Sequence, residues 1–172
     1  IIVHTDADVQ YQPEEIPKLI NEIKNNYDLV LGSRFKGKIE GMSFIKRLGN
    51  KAFSKVISSI TGIKISDAQT GFRAFTRVVA KNIQINSNHT YTQEQIIRAV
   101  KKKFRIKEIP IYFAKRNGKS RLISNPFKYA IRAWINIIRT YRDYEPLKFF
   151  GIIGGTIFTL GFALGIYLVY IQ

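Results

Sequence analysis

The chain has 172 residues, no cysteine and a formal net charge of +16 at pH 7. The lack of cysteine excludes disulfides, thiolate metal sites and a cysteine nucleophile. So large a positive charge favours phosphate-rich partners: nucleotides, nucleic acid or an anionic membrane surface. The chain is long enough for one domain with a core, but its first residue already belongs to an apolar run. We therefore expect that an upstream part of the same domain precedes it.

The first candidate site is the acidic stretch near the start of the chain. The apolar β-branched residues 1–3 predict a buried strand, and Asp6 and Asp8 follow at its end. If strand geometry persists, Asp6, Asp8 and Gln10 point to one side, because side chains alternate along a strand. Their oxygens would suit Mg²⁺ or Mn²⁺ that shares its shell with substrate phosphates. The alternative is a polar turn before a helix that begins near Pro13.

The next elements repeat the order strand, helix, strand. Residues 16–23 have apolar residues at helical spacing, and residues 27–32 predict a buried strand, so that a parallel sheet is expected. Arg34 follows this strand, where it could bind a phosphate in bidentate fashion or could be a surface arginine after a turn. Residues 43–60 predict a basic amphipathic helix, which suits either a core face or a position near anionic lipid.

The middle of the chain gives weaker signals. Residues 66–73 predict a polar turn in which Asp67 could be a base, a support for a metal site or a turn cap. We interpret His89, which lies in another polar stretch, as a solvated residue. Residues 95–102 predict a helix, and residues 106–113 predict an edge strand because they contain a proline.

A basic loop follows this edge strand. Its four cations are Lys115, Arg116, Lys119 and Arg121, placed around Gly118. Such a loop could clamp a diphosphate that faces the acidic stretch, or it could be a solvated surface loop.

The C-terminal part predicts contact with a membrane. A second basic amphipathic helix begins at Pro126 and carries Trp134, and residues 149–172 then contain no charged residue. This run is long enough to span a bilayer, whereas a buried core helix is the alternative. Between Arg98 and Lys148 there are 15 lysines and arginines against three acids, which predicts that the soluble part lies on the cytoplasmic side.

Taken together, these motifs resemble the family 2 glycosyltransferases of GT-A fold, most closely the polyprenyl-phosphate type that includes dolichol-phosphate mannosyltransferases. The motifs are Asp6-Ala7-Asp8-Val9-Gln10, Gly32-Ser33-Arg34, Asp67 with Gly71-Phe72-Arg73, Glu108-Ile109-Pro110-Ile111, and Arg116-x-Gly118-Lys119-Ser120-Arg121. The resemblance implies an α/β, Rossmann-like nucleotide-diphospho-sugar transferase domain. We assign residues 1–123 to its C-terminal part, 124–146 to an amphipathic interface helix and 149–172 to a transmembrane helix.

The resemblance also implies a reaction. A sugar, with mannose or glucose expected, would move from a nucleotide sugar to a polyprenyl or dolichyl phosphate with inversion and with Mg²⁺ or Mn²⁺. The implied residues are Asp6, Asp8 and Asp67 for catalysis, Asp6, Asp8 and Gln10 for the metal, Asp6, Asp8, Arg116, Lys119 and Arg121 for the donor, and Arg34, Arg47 and Asn50 or Lys51 for the acceptor phosphate. We expect Asp67 to orient a substrate and not to be an obligatory base. Membrane lipid is an expected partner, and nucleic acid is not.

Other classes of protein remain as alternatives. A membrane-anchored basic module could bind nucleic acid or anionic lipid without catalysis, but it would leave Asp6 and Asp8 unexplained, and its binding would be salt-sensitive without a metal requirement. A transferase for another sugar, such as N-acetylglucosamine, and a structural interface protein are further possibilities. Processive polysaccharide synthesis is less expected, because Ala99 stands where that signature has tryptophan after Gln95-Ile96-Ile97-Arg98.

Overall fold

The computed structural model describes residues 1–85, 91–115 and 126–171. The chain forms two compact units, Ile1–Ala133 and Trp134–Gln172. The first contains strands and helices and the second only helix, so the predicted α/β class with a helical C-terminal tail is confirmed.

A four-stranded mixed sheet is the centre of the first unit. Its strands are β1 (Ile2–His4), β2 (Leu29–Ser33), β3 (Arg73–Phe75) and β4 (Ile106–Pro110). The strand order is β1-β3-β2-β4, with β2 and β4 parallel and β3 antiparallel to both of its neighbours. The expected parallel sheet is therefore only partly correct. The turn predicted over residues 66–73 overlaps β3 only at Arg73, and the strand itself, which separates β1 from β2, was not predicted.

The helices largely follow the predicted periodicity. They are α1 (Ile16–Lys24), α2 (Phe44–Thr61), α3 (Arg77–Asn82), α4 (Tyr91–Lys101) and α5 (Pro126–Tyr144), with α6 (Pro146–Ile171) at the end. The first two agree with the predictions to within a residue or two, whereas α4 begins four residues before the predicted start. The sequence did not predict α3, because six residues are too few to establish a helical period. The edge position of β4 is confirmed.

Both faces of the sheet are buried at β2, whereas the prediction of a buried strand at residues 1–3 is wrong: β1 lies at the edge of the described sheet and Ile2 is 41% exposed. On one face, Val30 and Ala74 belong to a hydrophobic cluster with Leu19 and Ile23 of α1. On the other face, Leu29 is fully buried, as expected for side chains that alternate across a strand. A strand covered on both faces has a continuous apolar sequence, which explains why β2 was visible in the sequence.

The second unit contains most of α5 and all of α6. The mean hydropathy of α6 is 2.0, and no residue in its most apolar stretch is buried. Within the described residues it is the one helix that is long and apolar enough to cross a membrane. It includes nearly all of the charge-free run predicted to span a bilayer.

Candidate active site

The candidate site lies where three strands of the same direction end. Asp6 follows β1, Arg34 follows β2 and Phe113 follows β4, and ligands of open α/β sheets bind at this carboxyl edge. Tyr11 occupies the space between these chain segments. Its ring stacks on Phe72 and meets Phe113 edge-on, with both centroid distances at 5.2 Å.

The acidic residues lie in a turn and not on a continued strand. The strand β1 ends at His4, and Val9 has a φ of 60°, in the left-handed region. The backbone nitrogen of Gln10 donates to Asp8 Oδ1 at 3.3 Å, an arrangement by which aspartate stabilises turns. The expected alternation of Asp6, Asp8 and Gln10 along one strand face is therefore wrong, and the turn that we considered as an alternative is correct.

Asp6 lies directly against the backbone of Gly71. A Cβ atom added to Gly71 would be 2.5 Å from Asp6 Oδ2, so that any larger residue here would displace this carboxylate. His4 Nδ1 donates to the carbonyl oxygen of Gly71 at 2.7 Å, and the nitrogen of Gly71 donates to the Tyr11 hydroxyl at 3.2 Å. The acidic turn is thus in contact with the segment that leads into β3.

The donor atoms of this turn fit a hard divalent cation that arrives with a diphosphate. Asp6 is exposed and Asp8 half-buried, and the side-chain nitrogen of Gln10 donates to the Ala114 carbonyl, so that the amide oxygen of Gln10 stays an acceptor. In the described part of the chain, no three His, Asp or Glu side chains group together as a metal site. Mg²⁺ in proteins often has one or two carboxylate ligands, with substrate phosphates and water as the others.

Arg34 forms a buried bidentate ion pair with Asp67. Its Nε lies 2.7 Å from Oδ2 and its Nη2 lies 2.8 Å from Oδ1, and the Arg34 backbone nitrogen is 3.0 Å from Oδ2. Asp67 is fully buried and Arg34 is 8% exposed, so the interpretation of Arg34 as a surface residue is wrong. Burial alone would lower the pKa of Arg34, but the hydrogen bonds and charge of Asp67 outweigh it and raise this pKa.

The ion pair engages part of the Arg34 guanidinium. A guanidinium has five N–H groups, and Asp67 accepts from two of them. The carbon Cζ of Arg34 lies 5.2 Å from the centroid of the Phe113 ring and 6.0 Å from that of Phe35. The ammonium of Lys51 lies 5.7 Å from the same Phe35 ring. Phe35 therefore has two cations near it, one from the end of β2 and one from α2.

The remaining residues predicted for the two substrates are less closely associated with this site. Arg47 is exposed on α2. Asn50 is buried, and its Nδ2 lies 3.8 Å from the sulfur of Met42. Of the two predicted alternatives, Lys51 shares a contact to the Phe35 ring with Arg34. The predicted donor residues Arg116, Lys119 and Arg121 lie outside the described residues, as does His89.

Two groups near the site, Arg73 and Glu108, were named from the sequence only as parts of motifs and were given no role. Arg73 is fully buried, and its guanidinium donates to the carbonyl oxygens of Thr70 and Thr92 and to Gln95 Oε1. Burial lowers the pKa of Arg73 to about 10. The second is Glu108, which contacts the backbone beside Asp67 and whose only sequence signal was its place in a motif. Their partners are distant in sequence, so neither contact has a local pattern.

Comparisons with known proteins match the part of the chain that carries this site. The sequence model described as Glycosyl transferase family 2 matches residues 1–84, the segment that holds the acidic turn, Arg34 and Asp67. The chain is 34% identical over 127 residues to the dolichyl-phosphate hexose transferase of Haloferax volcanii, an alignment that covers 74% of this chain and 55% of that protein. It is 30% identical over 161 residues to the dolichol-phosphate mannosyltransferase of Pyrococcus furiosus, covering 90% and 45% respectively.

A further relative transfers a different sugar according to its name. The UDP-N-acetylglucosamine–dolichyl-phosphate N-acetylglucosaminyltransferase of Methanococcus voltae is 35% identical over 117 residues, covering 64% of this chain and 47% of that protein. The chain spans about half the length of these curated relatives. Through the part formed by residues 1–84, which carries the acidic turn and the buried ion pair, the chain belongs to glycosyl transferase family 2.

Proposed function

We propose that the protein transfers a hexose, mannose or glucose, from a nucleotide sugar to the phosphate of dolichol or another polyprenol. The observation that carries this proposal is that an exposed acidic turn and a buried arginine, whose orientation is fixed by Asp67, lie at one edge of the sheet. The named relatives support the acceptor, since the names of all three contain dolichyl or dolichol phosphate while their sugars differ.

The acidic turn would hold the donor. Asp6, Asp8 and Gln10 would bind Mg²⁺ or Mn²⁺ together with the donor diphosphate, and such a cation supplies charge neutralisation for the leaving diphosphate. Gly71 and His4 keep the Asp6 carboxylate at the sheet edge. We retain Arg116, Lys119 and Arg121 as proposed partners of the diphosphate.

The arginine pair would hold the acceptor. A lipid phosphate is already ionised at neutral pH, so it needs to be positioned more than it needs a base. Asp67 accepts three hydrogen bonds from Arg34 and is fully buried, which supports a positioning role for Asp67. A phosphate oxygen held by Arg34, with Arg47 and Lys51 or Asn50 nearby, would form a bond to the anomeric carbon as the bond to the diphosphate breaks. Direct displacement of this kind inverts the configuration.

We propose that the protein is an integral membrane protein with its catalytic part on the cytoplasmic side. Residues 1–123 would be catalytic, 124–146 an interface helix and 149–172 the span. The length and hydropathy of α6 support this arrangement. The first two turns of α2 also expose Phe44 by 78% and Leu48 by 59% on a helix that carries lysine and arginine, as expected near anionic lipid.

The experiment that tests the proposal uses the full-length protein in detergent with Mn²⁺, a short polyprenyl phosphate and a panel of radiolabelled nucleotide sugars. We expect label in the lipid phase from one donor, lost on addition of EDTA and lost in the Asp8→Ala variant. Absence of transfer from every donor, combined with metal-independent binding of nucleic acid or anionic vesicles, would favour the non-catalytic binding module instead.

A further inference from the structure

Glu108 lies on β4 and makes several polar contacts next to the Arg34 site. Its side chain is 3% exposed. Its two oxygens accept from the backbone nitrogen of Ser66 at 2.9 and 3.0 Å, from the Ser66 hydroxyl at 2.9 Å and from the backbone nitrogen of Asp67 at 3.0 Å. Lys36 adds an ion pair at 3.1 Å. A carboxylate only accepts hydrogen bonds, and every one of these partners is a donor.

Glu108 contacts Ser66 and the backbone of Asp67, and the backbone of these two residues sets the orientation of the Asp67 side chain. The backbone nitrogen of Asp67 is bound to Glu108, while its carboxylate is bound to Arg34. Ser66 is held from a second side, because its hydroxyl lies 2.7 Å from that of Ser33, the residue before Arg34. The backbone on both sides of the ion pair is therefore fixed through Glu108 and Ser66.

We propose that Glu108 is a positioning residue for the acceptor phosphate: it fixes the Ser66–Asp67 backbone so that Asp67 presents the Arg34 guanidinium in one orientation. This inference rests on the proposed function, in which Arg34 binds the lipid phosphate. Glutamine at position 108 would direct an amide N–H₂ or a single oxygen at donors that now face two oxygens. At least one backbone N–H would lose its acceptor, and the peptide that carries Asp67 would turn.

A role in general stability makes a different prediction from a role in positioning the acceptor. The hydrogen bonds and ion pair of Glu108 go to residues on the acceptor side, and none of those found among the described residues goes to Asp6, Asp8 or Gln10. Loss of the Glu108 contacts should therefore weaken the use of polyprenyl phosphate while leaving the use of the nucleotide sugar unchanged. A general loss of stability would affect both substrates alike.

The test compares Glu108→Gln with Glu22→Gln in the full-length protein. Glu22 is a matched control, because it pairs at 2.9 Å with Lys107, the neighbour of Glu108 on β4, and lies on the other side of the strand. We expect Glu108→Gln to lower kcat/KM for polyprenyl phosphate by about ten- to a hundredfold, as for a misplaced positioning group, with the donor KM within about twofold. Glu22→Gln should leave both values unchanged.

Further variants protect the result against misfolding. Ser66→Ala removes only the hydroxyl contact and should move the acceptor KM in the same direction by a smaller factor. On an Arg34→Lys background, Glu108→Gln should have little further effect, because the two residues act on one step. Equal losses for both substrates, or additive effects with Arg34→Lys, would overturn the inference.

The failure of this inference can be told apart from failure of the proposed function. If the unmodified protein transfers no sugar, the proposed function fails, and binding of a short polyprenyl phosphate in detergent then decides the role of Glu108. Weaker binding by Glu108→Gln than by Glu22→Gln would support the positioning role. Equal binding by the two variants would contradict it.

Discussion

The acidic turn and the Arg34–Asp67 pair lie at the same edge of the sheet but are built in opposite ways. In the turn, Asp6 is exposed and its position depends on contact with the backbone of Gly71. In the pair, Asp67 is fully buried and bound to Arg34 at 2.7 and 2.8 Å. In the proposed roles, carboxylates that bind a cation stay open to its other ligands, whereas an arginine that binds one phosphate is oriented in advance by its buried partner.

The two constructions also differ in how strongly each resists a change. A buried ion pair that loses one partner leaves an uncompensated charge in the interior, which typically costs about 3–5 kcal/mol. An exposed carboxylate that moves costs little in stability and acts mainly on ligand affinity. Mutations of the ion pair should therefore lower the free energy of unfolding. Mutations of the acidic turn should instead lower the affinity for the donor.

The largest effect is expected for Asp67→Asn. The variant leaves the Arg34 guanidinium buried without its counter-charge, and we expect the free energy of unfolding to fall by about 3 kcal/mol or more. Chemical denaturation of the full-length protein measures this. The control is Asp28→Asn, which removes a more exposed partner, 3.8 Å from Arg105, and should cost about 1 kcal/mol or less. Equal losses in the two variants would show that burial does not distinguish the pairs.

The next effect is expected for Gly71→Ala, which acts on the turn. The new Cβ would lie 2.5 Å from Asp6 Oδ2, so the carboxylate must move. We expect the affinity for Mn²⁺ in the presence of the nucleotide sugar to fall about tenfold or more, measured by titration calorimetry. Gly49→Ala in α2 is the control, because nothing lies within 4 Å of its added Cβ and alanine favours helix. Unchanged Mn²⁺ affinity in Gly71→Ala would contradict the proposal that Asp6 is a ligand of the metal.

A smaller effect is expected for Tyr11→Phe, which lies between the two regions. The change removes the acceptor of the Gly71 N–H, at a cost of about 1 kcal/mol. Burial raises the pKa of Tyr11 above its ordinary value, although the charge of Arg34 opposes this. The folded state thus keeps a proton that the unfolded state releases, and stability falls as the pH rises from the ordinary tyrosine pKa through the raised one. Denaturation curves at alkaline pH should show a shallower fall in Tyr11→Phe than in the unmodified protein.

The smallest effect is expected for Lys51→Gln. Lys51 shares the Phe35 ring with Arg34, so it adds a second positive charge near the proposed acceptor phosphate. An exposed cation of this kind contributes about 1 kcal/mol or less, which corresponds to a rise of about two- to fivefold in the KM for polyprenyl phosphate. Lys55→Gln, one turn further along α2, should change this KM less. A larger rise in this KM for Lys55→Gln than for Lys51→Gln would place the acceptor away from Phe35.

The sequence predicted the elements that have a local signal. Strand β2 is a continuous apolar run because it is buried on both faces, and α2 has a long amphipathic period. The strand β3 has three residues and begins with a buried arginine, so it has neither alternation nor an apolar run. The turn at Val9 depends on a left-handed residue that is not glycine, which no sequence rule favours.

The candidate site was predicted in its residues more than in its contacts. Asp6, Asp8, Arg34 and Asp67 were all identified, but their arrangement depends on pairs far apart in the chain. Arg34 and Asp67 are 33 residues apart, and Ser66 and Glu108 are 42 apart. A single sequence contains no record of such pairs, so the ion pair and the contacts of Glu108 became visible only in the structure.

The position of β3 has a consequence for the way in which the site opens. Its three residues pair with β1 on one side and with β2 on the other, so they are the only ladder between these two strands in the described sheet. The amides of β3 should therefore exchange with solvent deuterium among the slowest in the chain, since freeing them requires a large cooperative opening. Any fluctuation that detaches β3 would release Gly71 and with it the contact to Asp6, whereas Gln10 and Tyr11 would stay paired with Ala114 and Phe113. The acidic turn should therefore open first at Asp6 and not as one unit.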